Sequence, residues 1–192
     1  MTAPAASDPG GSPPSMPDGS PQSVPVDPAA FKAGMRCLAS GVTIITTIHD
    51  GQRGGLTATA VCSLSVEPPQ LLVCISHKAE AHDIIHRGSV LCVNLLARQH
   101  HGLAARFAGQ TGVVGAARFA EGTWSSLRTG APVLDGAVAS FDCLVAERVE
   151  SATHSIFIGR VVDVRVRPDL QPLIYAGGGY AELRALDPEG TG

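Results

Sequence analysis

Apolar runs rich in β-branched residues follow one another along this chain, and mostly short turns separate them. Residues 42–48 read VTIITTI, and the Asp50-Gly51 pair after them is typical of a tight hairpin turn. Runs of similar character cover 56–64, 70–76, 90–96, 138–148, 156–166 and 173–175. Short helices are predicted over 28–39, 79–87 and 98–108. Because strands follow strands, a regular βαβ alternation is excluded. The sequence predicts an antiparallel barrel of about six or seven strands with helical insertions.

Further predictions concern the end of the first helix, one strand and the segment 109–131. Gly41 stands where a glycine would cap the end of the first helix. Within 156–166, Asp163 and Arg165 fall on one face of the strand, as expected for a half-buried antiparallel strand. Residues 109–131 are irregular and rich in glycine, with Phe119 and Trp124 as their apolar anchors.

The first 28 residues differ in composition from the rest of the chain. They hold eight of the 14 prolines and no lysine, arginine or aromatic residue. Such a segment cannot bury enough apolar surface to offset its ordering entropy, so a disordered tail is predicted. It lacks the basic and apolar regions of a signal peptide. One folded domain over 29–182 and a short tail over 183–192 are expected.

Charge and cysteine content limit the class of protein. Lys and Arg number 14 against 17 Asp and Glu, which gives a formal net charge of -3 and argues against a nucleic-acid partner. No apolar run is long enough to span a membrane. Charged residues make up only 16% of the chain, which favours a dimer interface or a cofactor cleft. The five cysteines are odd in number and form no CxxC motif, which indicates reduced thiols in a cytoplasmic protein.

A run of small and hydroxyl-bearing residues is the first candidate site. It comprises Thr57, Ala58, Thr59 and Ala60, with Ser63 close behind. Small side chains let a flat ring approach the backbone, and hydroxyls offer donors and acceptors, as a flavin ring requires. The alternative is a Thr- and Ser-rich edge strand.

Two further candidates involve histidines. Ser76, His77 and Lys78 stand where a strand gives way to a helix, with His82 inside that helix. Backbone N–H groups at a helix start favour a phosphate, although a solvated loop is the alternative. His154 lies between two strands and could donate a proton or hydrogen bond in a cleft, or be a surface turn residue. No metal site is predicted, since the histidines lack ligand partners at suitable spacing.

Five blocks in order resemble the flavin reductase-like, FMN-binding split-barrel family. They are the run from Phe31 to Thr47, the run Gly55-Leu56-Thr57-Ala58-Thr59-Ala60 through Pro69, Val93-Asn94-Leu95-Leu96 with Arg106-Phe107-Ala108-Gly109, His154 to Val161, and Pro172 to Tyr180. The resemblance covers about residues 29–182 and is nearest to the short reductase components of two-component flavin-dependent monooxygenases.

The resemblance implies a homodimeric split β-barrel that reduces FMN or FAD with NADH or NADPH and supplies a partner monooxygenase. It implies that Thr57, Ala58, Thr59 and Ala60 line the flavin ring. The other cofactor-binding residues that it implies are Ser63, Ser76, His77, Lys78, His82, Phe107 and Tyr180. His154 matches a histidine that lies near the nicotinamide in the family, and it is the implied catalytic residue.

The chain departs from the family pattern at two places. Thr59 replaces an asparagine, which keeps a polar group but loses an amide donor. Ala152 and Thr153 replace a Gly-Asp pair before His154, so a carboxylate partner for the imidazole is lost. The alternatives are a non-catalytic flavin- or haem-binding split-barrel protein and an oxidase similar to pyridoxamine phosphate oxidase. The chain shows no Arg and Lys cluster for the phosphate of an oxidase substrate.

Overall fold

A computed structural model describes residues 25–184. The predicted disordered segment falls mainly outside the described residues, as does most of the C-terminal tail. Three α-helices are described: α1 (Pro28–Arg36), α2 (Glu80–Gly88) and α3 (His101–Phe107). Two 3-10 helices cover Arg98–His100 and Gly115–Ala120. None of the helices in the described part is long and apolar enough to cross a membrane.

Twelve strands lie within residues 25–184. They are β1 (Ser40–Gly41), β2 (Thr43–His49), β3 (Gln52–Ala58), β4 (Val61–Val66), β5 (Pro69–Ser76), β6 (Val90–Leu95), β7 (Trp124–Ser126), β8 (Pro132–Leu134), β9 (Ala139–Ser151), β10 (His154–Val166), β11 (Leu173–Ala176) and β12 (Gly179–Glu182). Seven form one antiparallel sheet in the order β3-β2-β6-β9-β10-β5-β4. A three-stranded sheet, β1-β11-β12, and the β7-β8 pair complete the fold.

Chain turns set the register of this sheet. Asp50 and Gly51 both have positive φ, at 47° and 77°, so the predicted tight hairpin joins β2 to β3. β3 and β4 lie at opposite edges of the seven-stranded sheet, although only Thr59 and Ala60 separate them. The backbone N–H of Cys74 donates to Ala60 O (3.0 Å), so this connection runs close to β5. The two edges therefore approach one another at Thr59 and Ala60.

Two clusters of buried residues form the core. One includes Ile45, Val73, Leu91 and Phe157 on the central strands, where each side chain is at most 1% exposed. The other surrounds Phe107, whose ring packs edge-on against Phe119 with centroids 5.1 Å apart. Gly55 on β3 must be a glycine, because a Cβ there would lie 2.7 Å from the Phe107 ring.

Most elements match the sequence-based predictions, and the exceptions have local causes. The run 56–64 was expected to be one strand, but it divides because β3 pairs with β2 and β4 pairs with β5. Gly41 does not cap α1, which ends at Arg36. It lies in β1 opposite Ile174, where a Cβ would meet the Leu95 side chain at 3.1 Å. The strand count exceeds the predicted six or seven because five of the strands are four residues or shorter.

The face of β10 was also predicted incorrectly. Val164 and Val166 are 45% and 59% exposed, while Asp163 and Arg165 on the other face are half-buried. Register shifts at Ile158/Gly159 and Val161/Asp163 alter the alternation along the strand. Arg165 Nη1 lies 2.7 Å from Asp135 Oδ1, which compensates for its partial burial.

All five cysteines are free thiols. Cys92 and Cys143 are buried, and burial raises the pKa of the Cys143 thiol to about 12, with Asp142 adding to the shift. Cys37 and Cys62 are exposed.

Candidate active site

The first predicted run lies in a small cavity at the end of β3. We call it the tyrosine cavity, with a volume of about 200 Å³. Its lining residues are Val42, Thr57, Ala58, Thr59, Ala108, Gln110, Tyr175 and Tyr180. The structure thus brings Thr57, Ala58 and Thr59 together with Tyr180.

Local hydrogen bonds and turns explain how this cavity is built. Thr57 Oγ1 donates to Ala104 O of α3 (2.7 Å), which fixes the side of β3 that faces the helix. Gly177 and Gly178 have positive φ and form the turn between β11 and β12. That turn places Tyr175 opposite Tyr180, with ring centroids 5.7 Å apart. Burial, with a smaller contribution from Tyr175, raises the pKa of Tyr180, so its phenol stays protonated near neutral pH.

Ser76, His77 and Lys78 form the junction between β5 and α2. The N–H of Lys78 donates to Ser76 Oγ (3.3 Å), and the N–H of His77 donates to Thr153 O (3.0 Å). Ala79, at the N-cap of α2, supplies no side-chain acceptor for the helix. His82 N donates to Ala79 O (2.9 Å), which leaves the N–H groups of Glu80 and Ala81 to donate to an external anion.

His154 opens β10 directly beside this junction. It pairs with Ser76 across the sheet, and its Nδ1 lies 2.8 Å from Thr153 Oγ1. The hydroxyl of Thr153 thus contacts the imidazole where the related family has a carboxylate. Ala152 has a φ of 44°, a left-handed conformation that costs about 1 kcal/mol for a residue with a Cβ.

A network of side chains holds the β9–β10 hairpin against α2. We call it the hairpin network: His77, His82, Glu150 and Ser155. Ser155 Oγ donates to Glu150 Oε2 (2.9 Å) and contacts Nε2 of both His82 (2.8 Å) and His77 (3.1 Å). The Ser155 hydrogen bond lowers the pKa of Glu150, and Arg148 and His77 act in the same direction. Ser155 is fully buried and His82 is 7% exposed, so the two are structural parts of the site.

The tyrosine cavity and the β5–α2 junction are close neighbours. Ala60 directly follows Thr59 and accepts a hydrogen bond from Cys74 N, and Cys74 lies two residues before Ser76 on β5. Two residues of extended strand span roughly 7 Å. One elongated ligand can therefore contact the cavity at one end and Ser76 to Lys78 at the other.

Not every predicted site residue lines this region. Ser63 lies in a separate groove that is lined by β4, β5, β9 and β10. The ring of Phe107 is 1% exposed and belongs to the core, while its neighbour Ala108 lines the tyrosine cavity. Val42, Ala108, Gln110 and Tyr175 are lining residues that the sequence analysis missed. Tyr175 could have been predicted from the glycines that follow it, because a tight turn at Gly177 and Gly178 places Tyr175 opposite Tyr180.

A second cavity adjoins the first. We call it the arginine cavity; it has a volume of about 340 Å³ and shares Tyr180 with the tyrosine cavity. Its other lining residues are Arg98, His101, Leu173, Ala181 and Glu182. The two cavities therefore meet at Tyr180.

Comparison with known proteins decides the family. The model of the flavin reductase like domain matches residues 35–184. The chain belongs to the flavin reductase-like family. It is 44% identical over 164 residues to FMN reductase (NADH) RutF 2 of Methylorubrum extorquens (strain PA1), covering 85% of this chain and 94% of that protein.

Solved structures of this family share the fold. Flavin reductase PheA2 in its native state superposes with a TM-score of 0.76 at 33% identity, covering 83% of this chain and 99% of that one. BorF, the flavin reductase component of a bacterial two-component tryptophan halogenase, gives 0.76 at 28% identity, covering 83% and 100%. The predicted family and fold class are confirmed.

Proposed function

We propose that the protein reduces FMN with NADH and releases the reduced flavin to a partner monooxygenase. The predicted enzyme class, a nicotinamide-dependent flavin reductase, is confirmed by relatives that carry this activity in their names. The observation that carries the proposal for this chain is the tyrosine cavity. It joins small residues of β3 to two tyrosines of the β11–β12 hairpin at the position of the family's ring-binding motif.

The dimensions of the site suit a flavin whose ring and phosphate bind in two different places. Pockets for whole cofactors usually measure about 300–1,000 Å³, so a cavity of about 200 Å³ holds the ring system rather than the entire molecule. Ala58, Ala108 and Val42 supply apolar contact to a flat ring, while Thr57 and Thr59 offer polar groups at its edge. The ribityl phosphate then passes Ala60 and reaches Ser76, His77 and Lys78 at the start of α2.

The two ligands supply the redox chemistry: NADH gives a hydride, the flavin takes that hydride and a solvent proton, and NAD⁺ and reduced flavin result. The protein supplies position and electrostatics. His154 is proposed to contact the nicotinamide nucleotide, with Thr153 and the hairpin network fixing its orientation. Tyr180 is proposed to cover the nicotinamide side of the ring.

His154→Ala is expected to lower kcat/KM for NADH by about tenfold, since roughly one hydrogen bond in the reacting complex is lost. The dissociation constant for FMN should change less than this, because His154 lies beside the proposed phosphate end at Ser76 but does not line the tyrosine cavity that holds the ring. Steady-state kinetics and a flavin fluorescence titration measure the two quantities.

His86→Ala is the matched control, because His86 is an exposed histidine on α2 at the end away from the junction. It should leave both quantities unchanged. A His154→Ala protein with unaltered kcat/KM for NADH would show that the imidazole has no role in the reaction.

Release of the reduced flavin distinguishes this enzyme from one that retains its flavin. A released flavin makes NADH consumption depend on added FMN, with saturation as the FMN concentration rises. NADH consumption by the purified protein without added flavin would contradict the proposal. The BorF likeness supports a monooxygenase-type partner, since that protein serves a two-component halogenase.

We also propose that the enzyme is a homodimer. A groove lined by β4, β5, β9 and β10, which we call the valine groove, has a volume of about 350 Å³. Val61, Val66, Leu71, Phe141, Val161 and Val164 supply most of its lining, along with Cys62 and Ser63. Val66 is 88% exposed, and Val166, two residues after Val164 on β10, is 59% exposed. Contiguous exposed apolar surface of this kind marks a protein interface.

Val164→Asp is expected to raise the dimer dissociation constant by at least about tenfold, because a carboxylate would be buried against apolar surface. Sedimentation should show wild type at twice the chain mass of 19.7 kDa and the variant shifted toward that mass. Val114→Asp is the control, since Val114 is 70% exposed and outside the groove. Monomeric wild type at micromolar concentration would contradict the dimer.

The proposed location is the cytoplasm. All five cysteines are unpaired, which suits a reducing compartment, and NADH is available there.

A further inference from the structure

Arg98 and Glu182 meet in the arginine cavity. Arg98 Nη1 lies 2.6 Å from Glu182 Oε2, and His101 lines the same cavity. Backbone contacts hold both residues in place: Arg98 N donates to Gln171 O (2.9 Å), and Glu182 pairs with Leu173 across the β11–β12 hairpin. The strands and the 3-10 helix thus fix the backbone of both residues, and the ion pair joins their side chains.

The ion pair contributes little to stability. The two side chains are 62% and 57% exposed. Exposed ion pairs rarely raise the equilibrium constant for folding by more than about fivefold. Arg98 uses one of its donors for Glu182 and retains others that face the cavity's solvent. A charged pair that is fixed by the backbone and accessible is suited to binding a polar ligand.

We propose that the arginine cavity binds the adenosine diphosphate part of the nicotinamide dinucleotide, and that Glu182 selects NADH over NADPH. This inference rests on the proposed function. A nicotinamide stacked beside Tyr180 leaves the rest of the dinucleotide to extend from the tyrosine cavity, and the arginine cavity shares Tyr180. Arg98 and His101 supply positive charge or donors for the diphosphate.

The carboxylate of Glu182 discriminates at the ribose. A carboxylate accepts a hydrogen bond from a free 2′-hydroxyl and repels a 2′-phosphate, as acidic residues do in other dinucleotide-binding folds. NADPH-specific sites instead offer an additional arginine to the 2′-phosphate. Here the charge of Arg98 is balanced by the carboxylate of Glu182. No additional arginine among the described residues of this cavity is therefore available for a 2′-phosphate.

Three other arginines are engaged elsewhere in the described structure. Arg106 Nη1 lies 2.7 Å from Glu121 Oε1, Arg128 pairs with Asp163, and Arg87 donates to Gln52. None of these three lines the tyrosine or arginine cavity. Arg36 lies against the Gly177-Gly178 turn but lines neither cavity. Among the lining residues of the two cavities, Arg98 is the arginine, and it is thus placed to meet a phosphate beside Tyr180.

Glu182→Gln tests the selection, since it removes the charge and keeps the shape. Equilibrium dialysis without flavin measures the dissociation constants of NADH and NADPH, and steady-state kinetics measure kcat/KM for each. The NADH preference should fall by about tenfold in both measurements, mainly through tighter NADPH binding. Glu121→Gln is the matched control, because Glu121 is 60% exposed and pairs with an arginine at 2.7 Å outside both cavities. It should leave the preference unchanged.

An unchanged preference in Glu182→Gln, or an equal loss of affinity for both dinucleotides, would overturn the inference. Arg98→Gln provides a second arm: it should weaken ADP binding by about tenfold, and unaltered ADP binding would overturn the phosphate role. Wild-type protein that does not reduce FMN with NADH would refute the proposed function instead. The two failures are therefore distinguishable.

Discussion

Ala108→Leu is expected to weaken FMN binding by about ten- to a hundredfold. Ala108 is exposed at the end of α3 and lines the tyrosine cavity opposite Thr57 to Thr59. Three additional carbon atoms would occupy a large part of a cavity of about 200 Å³. Overfilling a packed site costs about 1–3 kcal/mol, which corresponds to this loss of affinity. A fluorescence titration of FMN measures the change directly.

Ala116→Leu provides the control for this experiment. Ala116 is exposed in the 3-10 helix Gly115–Ala120, and it is not a lining residue of the tyrosine cavity. The control should bind FMN as wild type does, and both variants should unfold at the wild-type temperature. Normal FMN affinity in Ala108→Leu would place the flavin ring outside the tyrosine cavity.

Phe107→Ala is expected to lower the free energy of unfolding by about 3–5 kcal/mol, the usual cost of truncating a buried aromatic residue. The Phe107 ring contacts Phe119 and Trp124, with centroids 5.1 and 5.5 Å away, and it packs against Gly55. Chemical denaturation measures the loss. The family resemblance suggested that Phe107 contacts the cofactor. A loss of stability of this size would instead show that Phe107 is a core residue.

Phe31→Ala is the appropriate comparison, because Phe31 is 62% exposed on α1 and makes no buried contact. It should change the free energy of unfolding of the protomer by less than about 1 kcal/mol. If Phe107→Ala instead retains full stability and loses only flavin affinity, the assignment of the ring to the core is incorrect.

The sequence predicted those features that depend on residues close to one another along the chain. Asp50-Gly51 has the two positive φ angles that a tight hairpin needs, and Asp27 accepts a hydrogen bond from Ala29 N at the start of α1. Thr57, Ala58 and Thr59 line a cavity because they lie at the end of β3. In each case the chemistry of a few adjacent residues is sufficient.

Contacts between distant residues were not predictable in this way. Arg98 and Glu182 are 84 positions apart and meet only because β12 folds back beside the 3-10 helix. The valines of β10 face outward because two register shifts alter the alternation, and nothing in 156–166 marks those positions. The hairpin network likewise joins α2 to β9 and β10 across more than 70 positions. Such features follow from strand pairing rather than from local patterns.

Anaerobic mixing of the protein with NADH and a large excess of FMN tests the central claim most directly. The account predicts that many equivalents of FMN per protein lose their visible absorbance, with one NADH oxidised for each FMN reduced. Bleaching of a single bound equivalent, or of none, would contradict a reductase that releases its product.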